Sequence, residues 1–255
     1  MNHLQGIVAV IPAAGSGRRM NTGVNKVWLS LCGQSVFAHT LNTFLSSALI
    51  DHIVLVVNPL EIEEFQKFLA GAFSNQEAAL SSEHVAKISL VTGGAYRQQS
   101  VANALRFLRS WSGWRDANHR LVVIHDAARA LLTSALLEKA IEAGLEWGAA
   151  GIGVPVKDTI KQVDADGFVI STPERSGLWA IQTPQVFDFD LITACYEQVA
   201  HILSKFSDDC GIVEHCGHPV KLIEGSYENL KITTPEDLIF AEAILRGRCD
   251  GRSCT

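Results

Sequence analysis

The sequence lacks the features that place a protein on nucleic acid or in a membrane. Basic residues are the minority, with 21 Lys and Arg against 27 Asp and Glu, whereas binding a phosphate backbone by charge needs a basic surface. The apolar runs are far shorter than the roughly 20 residues that span a bilayer, and the first residues do not resemble a signal peptide. The six cysteines are scattered, which is typical of a reducing cytoplasm and not of a disulfide framework. We therefore expect a cytoplasmic protein that binds neither nucleic acid nor a membrane.

What the sequence does have is a glycine-containing loop directly after an apolar run. Residues 7–11 are apolar, residues 12–20 read PAAGSGRRM, and Lys26 follows a few positions later. Small side chains let backbone N–H groups approach a phosphate chain closely. Arg18, Arg19 and Lys26 add the positive charge that stabilises a transferring phosphoryl group. The loop therefore indicates a protein that handles a nucleotide or another polyphosphate, with a plain surface loop as the structural alternative.

Two common nucleotide motifs do not match this loop. The dinucleotide-binding fingerprint needs a glycine three positions after Gly17, and Met20 stands there. No acidic residue ends a clear second strand about 20 residues further on, where ribose recognition would need it. The Walker A motif needs Gly-Lys followed by Ser or Thr, which the chain does not contain. The sequence therefore disfavours an NAD-dependent oxidoreductase and a Walker A nucleotidase.

Strand-like apolar runs alternate with amphipathic helical segments along most of the chain. This alternation predicts an α/β fold, a Rossmann-like and mostly parallel sheet with helices on both faces. The pattern breaks after Pro155, where two runs flank an Asp-Gly turn and predict a protruding β-arm at about 156–183. We expect a single domain over 1–246 with this arm, and a frayed tail over 247–255. The predicted strands are 7–11, 53–57, 88–91, 121–124, 151–154 and 178–181, and the predicted helices are 36–45, 100–108, 136–147 and one that starts at Thr234.

A second motif follows the predicted strand 121–124, where the sequence continues as HDAAR over 125–129. Asp126 would lie at the carboxyl end of the strand, where it is well placed to hold Mg²⁺, which takes one or two carboxylates plus substrate phosphates. Arg129 is suited to a paired hydrogen bond with a phosphate. A salt bridge that caps the strand is the structural alternative.

Weaker signals lie elsewhere in the chain. Gly93 and Gly94, with Arg97 and Ser100 after them, are typical of a loop that contacts a nucleotide base, or of an ordinary turn before a helix. Lys231 lies in a short segment that we predict to return as a strand at the sheet edge. No Ser-His-Asp or Cys-His constellation is evident, so covalent catalysis is not favoured.

Together these motifs resemble the nucleotidyltransferase superfamily, which has a glycosyltransferase-A-like α/β fold. Within it they are similar to the cytidylyltransferase family that transfers CMP from CTP to 2-C-methyl-D-erythritol 4-phosphate, with release of pyrophosphate, in the non-mevalonate isoprenoid pathway. The matching segments run in family order from end to end of the chain, so the combined match is specific although no single segment is. They are 12–20 with Lys26, 93–101, 125–129, 155–161, 178–185 and 229–238.

The resemblance implies a role for each matched position. It implies that the backbone of Ala13, Ala14, Gly15 and Ser16 binds CTP, that Arg19 and Lys26 lie at the α-phosphate, and that Gly93 and Ser100 contact cytosine and ribose. The acceptor site would be formed by Asp126, Ala127, Arg129 and Lys231. Thr159 and Arg175 would bind the acceptor phosphate from the arm of a partner chain. Arg19, Lys26 and Lys231 form the catalytic set, Asp126 would also meet Mg²⁺, and the active site would belong to a homodimer.

The sequence departs from the family pattern at several positions. Asn25 and Ala130 stand where the family usually has proline, Val27 and Trp28 replace the common Gln-Tyr, and Ala95 stands where an acidic residue often follows the glycine pair. Proline fixes φ, so the first two changes alter loop stiffness, while Ala95 removes a candidate ribose or base contact. A ribitol 5-phosphate cytidylyltransferase and a catalytically inactive nucleotide-binding regulator are the alternatives.

Overall fold

The structure, a computed structural model, describes residues 6–15, 25–71, 80–114, 117 and 119–250. Within these residues the strands are β1 (Ile7–Pro12), β2 (Ser30–Leu31), β3 (Gln34–Ser35), β4 (His52–Val57), β5 (Ile88–Thr92), β6 (Leu121–Ile124), β7 (Ala149–Pro155), β8 (Gln162–Val163), β9 (Val169–Ser171), β10 (Trp179–Asp188) and β11 (Lys221–Glu224). The α-helices are α1 (Val36–Leu45), α2 (Ile62–Leu69), α3 (Ser82–Ala86), α4 (Arg97–Arg109), α5 (Ser134–Trp147), α6 (Phe189–Gln198), α7 (Asp209–His215) and α8 (Pro235–Asp250).

A seven-stranded sheet forms the centre of the fold, in the order β11-β7-β10-β6-β1-β4-β5. All neighbouring strands are parallel except β10, which runs antiparallel to both β6 and β7. The mostly parallel α/β sheet with helices on both faces is therefore confirmed. The predicted strands and helices are also confirmed apart from small shifts of their ends, with two exceptions, the strand at 178–181 and the edge strand at Lys231.

The sheet is buried on both faces, and the alternation of side chains along β1 shows why its sequence is continuously apolar. Ile7, Ala9 and Ile11 pack with α1, α2 and α5 in one core cluster. Val8 and Val10 point to the opposite face and pack with α4, α6 and α7. These two clusters fix the ends of the strands, and with them the loops that follow.

The long strand β10 is the main difference from the predicted topology. Its sequence predicts a strand only at 178–181, but the strand continues to Asp188 and lies between β7 and β6. Gln182, Thr183 and Gln185 are nonetheless buried, at 7%, 4% and 1% exposure. These polar side chains break the apolar pattern because they hydrogen-bond to loops around the candidate site, as described below.

The predicted edge strand at Lys231 is wrong. The edge of the sheet on that side is β11, which pairs with β7, and Lys231 lies in a loop. That loop is held by Ile232, which is fully buried and donates its backbone N–H to the carbonyl of Ala128 at 2.9 Å. The segment around Lys231 therefore packs against the HDAAR loop and adds no strand.

The segment predicted as an arm contains a separate two-stranded sheet made of β8 and β9. Its turn is stabilised by Asp164, whose carboxylate accepts hydrogen bonds from the backbone of Asp166 and Phe168, and by Gly167, which has a φ of +88°. Phe168, Val169 and Ile170 are exposed at 72%, 58% and 61%. The hairpin thus presents apolar side chains on its surface.

The last helix begins where the sequence predicts. The Thr234 hydroxyl accepts the Asp237 N–H at 3.4 Å, and the Asp237 carboxylate accepts the backbone N–H groups of Thr233 and Thr234, which is a reciprocal cap. The helix continues to Asp250, past the predicted boundary at 246, because Arg248 binds the Leu131 carbonyl and the Glu228 carboxylate. Across the described ranges, none of the helices combines the length and apolarity that crossing a bilayer requires.

Candidate active site

A cavity of about 570 Å³ opens at the carboxyl ends of β1, β4 and β6, where ligands bind in open α/β sheets. Ala13, Ala14 and Gly15 line it on one side. Asp126, Ala127 and Lys231 line another part of its wall, together with Lys26, Arg97 and Ser100. The structure therefore brings together two motifs that are far apart in sequence. Ser16 and Arg19, which the sequence also predicts for this site, lie outside the described residues.

The small-residue loop is held against the sheet by its own backbone. The Ala13 N–H donates to the Val56 carbonyl at 2.7 Å, and Ala13 is buried. Asn25 replaces the restraint that proline would give at its position. Its amide donates to the Ala13 carbonyl at 3.3 Å and to the Glu61 carboxylate at 2.9 Å, and its side-chain oxygen accepts the Val27 N–H at 3.3 Å. Three hydrogen bonds thus fix the start of the segment that carries Lys26.

Gly93 and Ser100 support the loop from behind. A Cβ at Gly93 would lie 2.5 Å from the Ala14 Cβ and 3.1 Å from the Ser100 hydroxyl oxygen, so only glycine fits there. The Ser100 hydroxyl accepts the Gly94 N–H at 3.0 Å and donates to the Tyr96 carbonyl at 3.2 Å. Gly93 therefore supports the wall of the cavity, whereas Gly94 and Ser100 are part of its lining.

Asp126 is the charged centre of the other wall. Its Oδ1 lies 2.7 Å from Nε of Arg97, and its Oδ2 lies 2.6 Å from Nζ of Lys231 and 4.0 Å from Nε of Arg129. Burial favours the neutral acid, but the positive charges of Arg97 and Lys231 outweigh it and hold the pKa of the Asp126 carboxyl well below its usual range. Asp126 is therefore ionised at neutral pH.

His125 and Thr183 fix the backbone beneath Asp126. The Asp126 N–H donates to the Thr183 hydroxyl at 3.1 Å, and Nε2 of His125 lies 3.1 Å from the Arg129 carbonyl. Because a carbonyl only accepts, Nε2 carries the proton, and Nδ1 accepts from the Thr183 hydroxyl at 3.1 Å. Burial lowers the pKa of His125 to about 4. His125 is thus a neutral structural support and not a general base.

The loop 229–233 closes the cavity from the side. Asn229 is almost fully buried and donates to the Thr183 carbonyl at 3.0 Å. Its own carbonyl accepts from Arg129 at 2.7 Å, and the Ile232 carbonyl accepts from Nζ of Lys26 at 2.9 Å. This loop therefore holds Arg129 and Lys26 while it carries Lys231. The sequence predicts Lys231 at the site but does not identify Thr183 and Asn229 as supports, although both lie in segments that match the family.

Thr159 and Arg175 do not line the cavity of their own chain. Both are exposed and lie in the arm segment, where Arg175 donates to the Lys157 carbonyl at 2.7 Å. Within one chain they are therefore separate from the other predicted site residues.

Among the described residues that line this cavity, Asp126 is the one that offers a carboxylate to a metal ion. In the part of the chain that the structure describes, no group of three or more His, Cys, Asp and Glu side chains is arranged to hold a metal. A carboxylate oxygen suits Mg²⁺, and the other ligands would have to be phosphate oxygens of a substrate and water. Asp126 therefore fits a cation that is bound together with a substrate.

Lys26, Arg97 and Lys231 line this cavity with positive charge, against the carboxylates of Asp126 and the buried Asp209. Arg129, which the sequence predicts for the site, is turned to the Asn229 carbonyl and does not line the cavity. The protein as a whole carries a net charge of −6, so its anion site is a local one. A mostly parallel sheet with a small-residue loop and a cation-rich cavity at its carboxyl edge is the arrangement of a nucleotidyltransferase.

Comparisons with known proteins define the family within that class. The sequence profile of the 2-C-methyl-D-erythritol 4-phosphate cytidylyltransferase family matches residues 7–247, and the chain belongs to this family. It is 44% identical over 243 residues to the protein of that name from Desulforamulus reducens, with 95% of this chain and 97% of the relative covered. The corresponding protein from Bacillus velezensis is 42% identical over 240 residues, with 94% and 95% covered.

Solved structures agree with the sequence comparisons. The crystal structure of 4-diphosphocytidyl-2C-methyl-D-erythritol synthase from Anaerococcus prevotii superposes with a TM-score of 0.76 at 32% identity, covering 95% of this chain and 96% of that one. The crystal structure of 2-C-methyl-D-erythritol 4-phosphate cytidylyltransferase from Thermus thermophilus gives 0.69 at 28% identity, covering 93% and 98%. The predicted fold class and enzyme class, a cytidylyltransferase, are therefore confirmed.

Proposed function

We propose that this protein transfers CMP from CTP to 2-C-methyl-D-erythritol 4-phosphate, giving 4-diphosphocytidyl-2-C-methyl-D-erythritol and pyrophosphate. Membership of the family supports the reaction. The observation that carries the proposal is that one cavity joins the small-residue loop to the ion pair of Asp126 and Lys231. Arg129 lies beside this pair, 4.0 Å from Asp126, but does not line the cavity. A nucleoside triphosphate on the small-residue loop would thus face an acceptor phosphate beside Asp126 and Lys231.

The nucleotide would bind along the first wall. Backbone N–H groups of Ala14, Gly15 and Ser16 would surround the triphosphate, with Ala13 forming the base of the loop, since small side chains let it approach. Arg19 and Lys26 would stabilise the negative charge that develops on the α-phosphate. Gly94 and Ser100 would lie near the ribose and cytosine, with Gly93 supporting that wall. Ala95 leaves this part of the cavity without an acidic side chain at its position.

The acceptor would bind along the second wall. Lys231 would bind its phosphate, with the positive charge of Arg129 behind the wall, and Asp126, beside the small Ala127, would accept hydrogen bonds from its hydroxyl groups. The phosphate monoester is already anionic near neutral pH, so it attacks the α-phosphorus without a strong general base. The chemistry then depends on alignment and on charge stabilisation by these side chains.

Mg²⁺ is part of this proposal as a companion of the triphosphate. Asp126 is the carboxylate that would contact it, and the ion would offset the charge of the phosphate chain. Arg97 and Lys231 would have to share Asp126 with it, because both bind its oxygens.

A homodimer formed through the arm would complete the site. The exposed apolar side chains of Phe168, Val169 and Ile170 would be covered by a second copy of the chain. Thr159 and Arg175 would then reach the acceptor phosphate in the partner's cavity. We also place the protein in the cytoplasm, where its described cysteines, Cys32, Cys195, Cys210 and Cys216, are free.

The proposed reaction is tested by pyrophosphate release with CTP and Mg²⁺, comparing 2-C-methyl-D-erythritol 4-phosphate with ribitol 5-phosphate. We expect release with the first acceptor and not the second. Lys26→Ala serves as the inactive control. This variant should still fold, because Lys26 is half-buried and not part of the core, and thermal unfolding checks this. Release with ribitol 5-phosphate alone would show that the proposed acceptor is wrong, although the transfer of CMP would still be supported. No pyrophosphate release with either acceptor would overturn the proposal.

A further inference from the structure

A buried carboxylate lies behind the candidate active site and is not used by the proposed mechanism. Asp209 is the first residue of α7 and is 0% exposed. Its backbone N–H donates to the Gln185 side chain at 3.0 Å, and its Oδ1 accepts a hydrogen bond from the Tyr196 hydroxyl. Its Oδ2 lies 2.8 Å from Nη1 of Arg97. Asp209 does not line the cavity.

Arg97 joins this buried carboxylate to Asp126. Its Nε contacts Oδ1 of Asp126 at 2.7 Å while its Nη1 contacts Asp209. The guanidinium group is planar and rigid, so two carboxylates on two of its nitrogens fix both its position and its orientation. The residues come from α4, α7 and the loop after β6, and the packing of these elements on one face of the sheet brings them together.

The second oxygen of Asp126 stays free of Arg97. Arg97 uses only Oδ1, which leaves Oδ2 for Lys231 at 2.6 Å and Arg129 at 4.0 Å. An arginine without a second partner tends to bind one carboxylate with two parallel hydrogen bonds. If Asp209 were uncharged, Arg97 would turn toward Asp126 and compete with Lys231 for Oδ2.

We propose that Asp209 is a positioning residue that holds Arg97 to one oxygen of Asp126 and so keeps the other oxygen for Lys231 and Arg129. It acts on the wall that binds the acceptor in the proposed function, and the inference rests on that function. Tyr196 supports Asp209 as a permanent hydrogen-bond donor, because burial and the Asp209 charge raise the pKa of its phenol well above the usual value.

The first test is Asp209→Asn. Asparagine has one side-chain oxygen, whereas Arg97 and Tyr196 each use an oxygen of Asp209. We expect the KM for 2-C-methyl-D-erythritol 4-phosphate to rise about tenfold, with the KM for CTP within about twofold of wild type. A role in folding alone would lower the active fraction, so kcat would fall while both KM values stayed unchanged, and that result overturns the proposal.

Tyr196→Phe is the matched control, because it removes a hydrogen bond to Asp209 but keeps the charge beside Arg97. We expect its acceptor KM to rise less than about threefold. An equal rise in both variants would show that the hydrogen bond and not the charge matters, which contradicts the proposal.

Arg97→Lys keeps the test available if Asp209→Asn does not fold. Lysine keeps the charge but lacks the fork that contacts two carboxylates, so the acceptor KM should again rise about tenfold with the CTP KM unchanged. Where Asp209→Asn does fold, adding it to Arg97→Lys should change the acceptor KM less than about twofold further, because Asp209 acts through Arg97. A second full rise would overturn the proposal.

A crystal structure of Asp209→Asn separates this inference from the proposed function. If the wild type is inactive with the proposed acceptor, the function fails, and the variant structure still reports on Asp126. We expect Nζ of Lys231 to lose its 2.6 Å contact with Oδ2. An unchanged contact in the variant would overturn the positioning role whatever the substrate is.

Discussion

Nζ of Lys231 lies 2.6 Å from Oδ2 of Asp126, although the two residues are far apart in the sequence. Lys231 lies in the loop that packs on the HDAAR segment, where Ile232 binds the Ala128 carbonyl. The pair is partly open to the cavity, since the Lys231 side chain is 36% exposed. An entering acceptor phosphate would therefore meet a lysine that is already aligned by a carboxylate.

Lys231→Ala tests this alignment. We expect kcat/KM for the acceptor to fall by about 10²–10³, because the variant loses a charge at the acceptor phosphate and leaves Asp126 less compensated. The affinity for CTP, measured by calorimetry, should change by less than about threefold, since the loop of Ala13 is on the other wall. Lys139→Ala, on the exposed face of α5, is the control. A normal kcat/KM in Lys231→Ala would show that Lys231 is only structural.

Gly93→Ala tests the support of the small-residue loop. The new Cβ would lie 2.5 Å from the Ala14 Cβ, so the loop or α4 has to shift. We expect a loss of about 1–3 kcal/mol in the free energy of unfolding and a CTP affinity weakened by about tenfold or more.

Gly247→Ala is the matched control for this change, because a Cβ added at this position in α8 would meet nothing within 4 Å. It should raise the free energy of unfolding slightly, since alanine is the better helix former. Unaltered CTP binding in Gly93→Ala would contradict the role that we give to this wall.

The stability of the protein should depend on His125 in weakly acidic solution. Burial lowers the pKa of His125 to about 4, below the value of about 6.5 in the unfolded chain. The unfolded state therefore binds more protons between these pH values, and its advantage grows as the pH falls. From pH 7 to pH 5 we expect His125 alone to remove about 2 kcal/mol from the free energy of unfolding.

The contribution of His125 to the free energy of unfolding is measured by denaturant unfolding of wild type and His125→Gln at pH 7 and pH 5. The loss of stability on acidification should be about 2 kcal/mol smaller in the variant. His201→Gln, at an exposed position, controls for general effects of removing a histidine. An identical loss in wild type and His125→Gln would show that His125 does not remain neutral in the folded protein.

The sequence predicts some parts of this fold well because their burial is uniform. Strands β1 and β6 are apolar throughout since both of their faces are covered, and that pattern leaves little choice of structure. Strand β10 is predicted only in part, because Gln182 and Gln185 are buried to bind the Ser226 carbonyl and α7. A strand with buried polar side chains cannot be recognised from its sequence pattern until the hydrogen-bond partners of those side chains are known.

The candidate site is likewise only partly predictable from the sequence. Asp126 is identifiable from the sequence because an acid after an apolar strand is unusual. Its ion pairs with Arg97 and Lys231 depend on contacts between elements that are distant in sequence, as does the link from Arg97 to Asp209. The resemblance places the residues at the site, but only the structure shows which of them contact one another.

Mixing two inactive variants tests whether the arm of one chain serves the site of another. In the proposed dimer, Lys26→Ala would inactivate its own cavity, and Arg175→Ala would inactivate the arm that the chain offers to a partner. In a heterodimer one cavity would have both residues intact. Coexpression should therefore restore about a quarter of the wild-type activity, because about half of the dimers are mixed and half of their sites are complete.

Each variant purified alone should stay nearly inactive, and Phe168→Asp should shift the protein from dimer to monomer in light scattering by placing a charge in the apolar contact. Activity in the coexpressed sample that equals the mean of the two separate variants would contradict a shared site.

The most direct test of the central claim is the stereochemical course at the α-phosphorus. In the proposed reaction, the acceptor phosphate beside Lys231 attacks CTP on the Ala13 loop in a single displacement. With CTP made chiral by sulfur at the α-phosphorus, the methylerythritol product should show inversion of configuration. Retention would mean two displacements and a covalent intermediate, which would contradict the account.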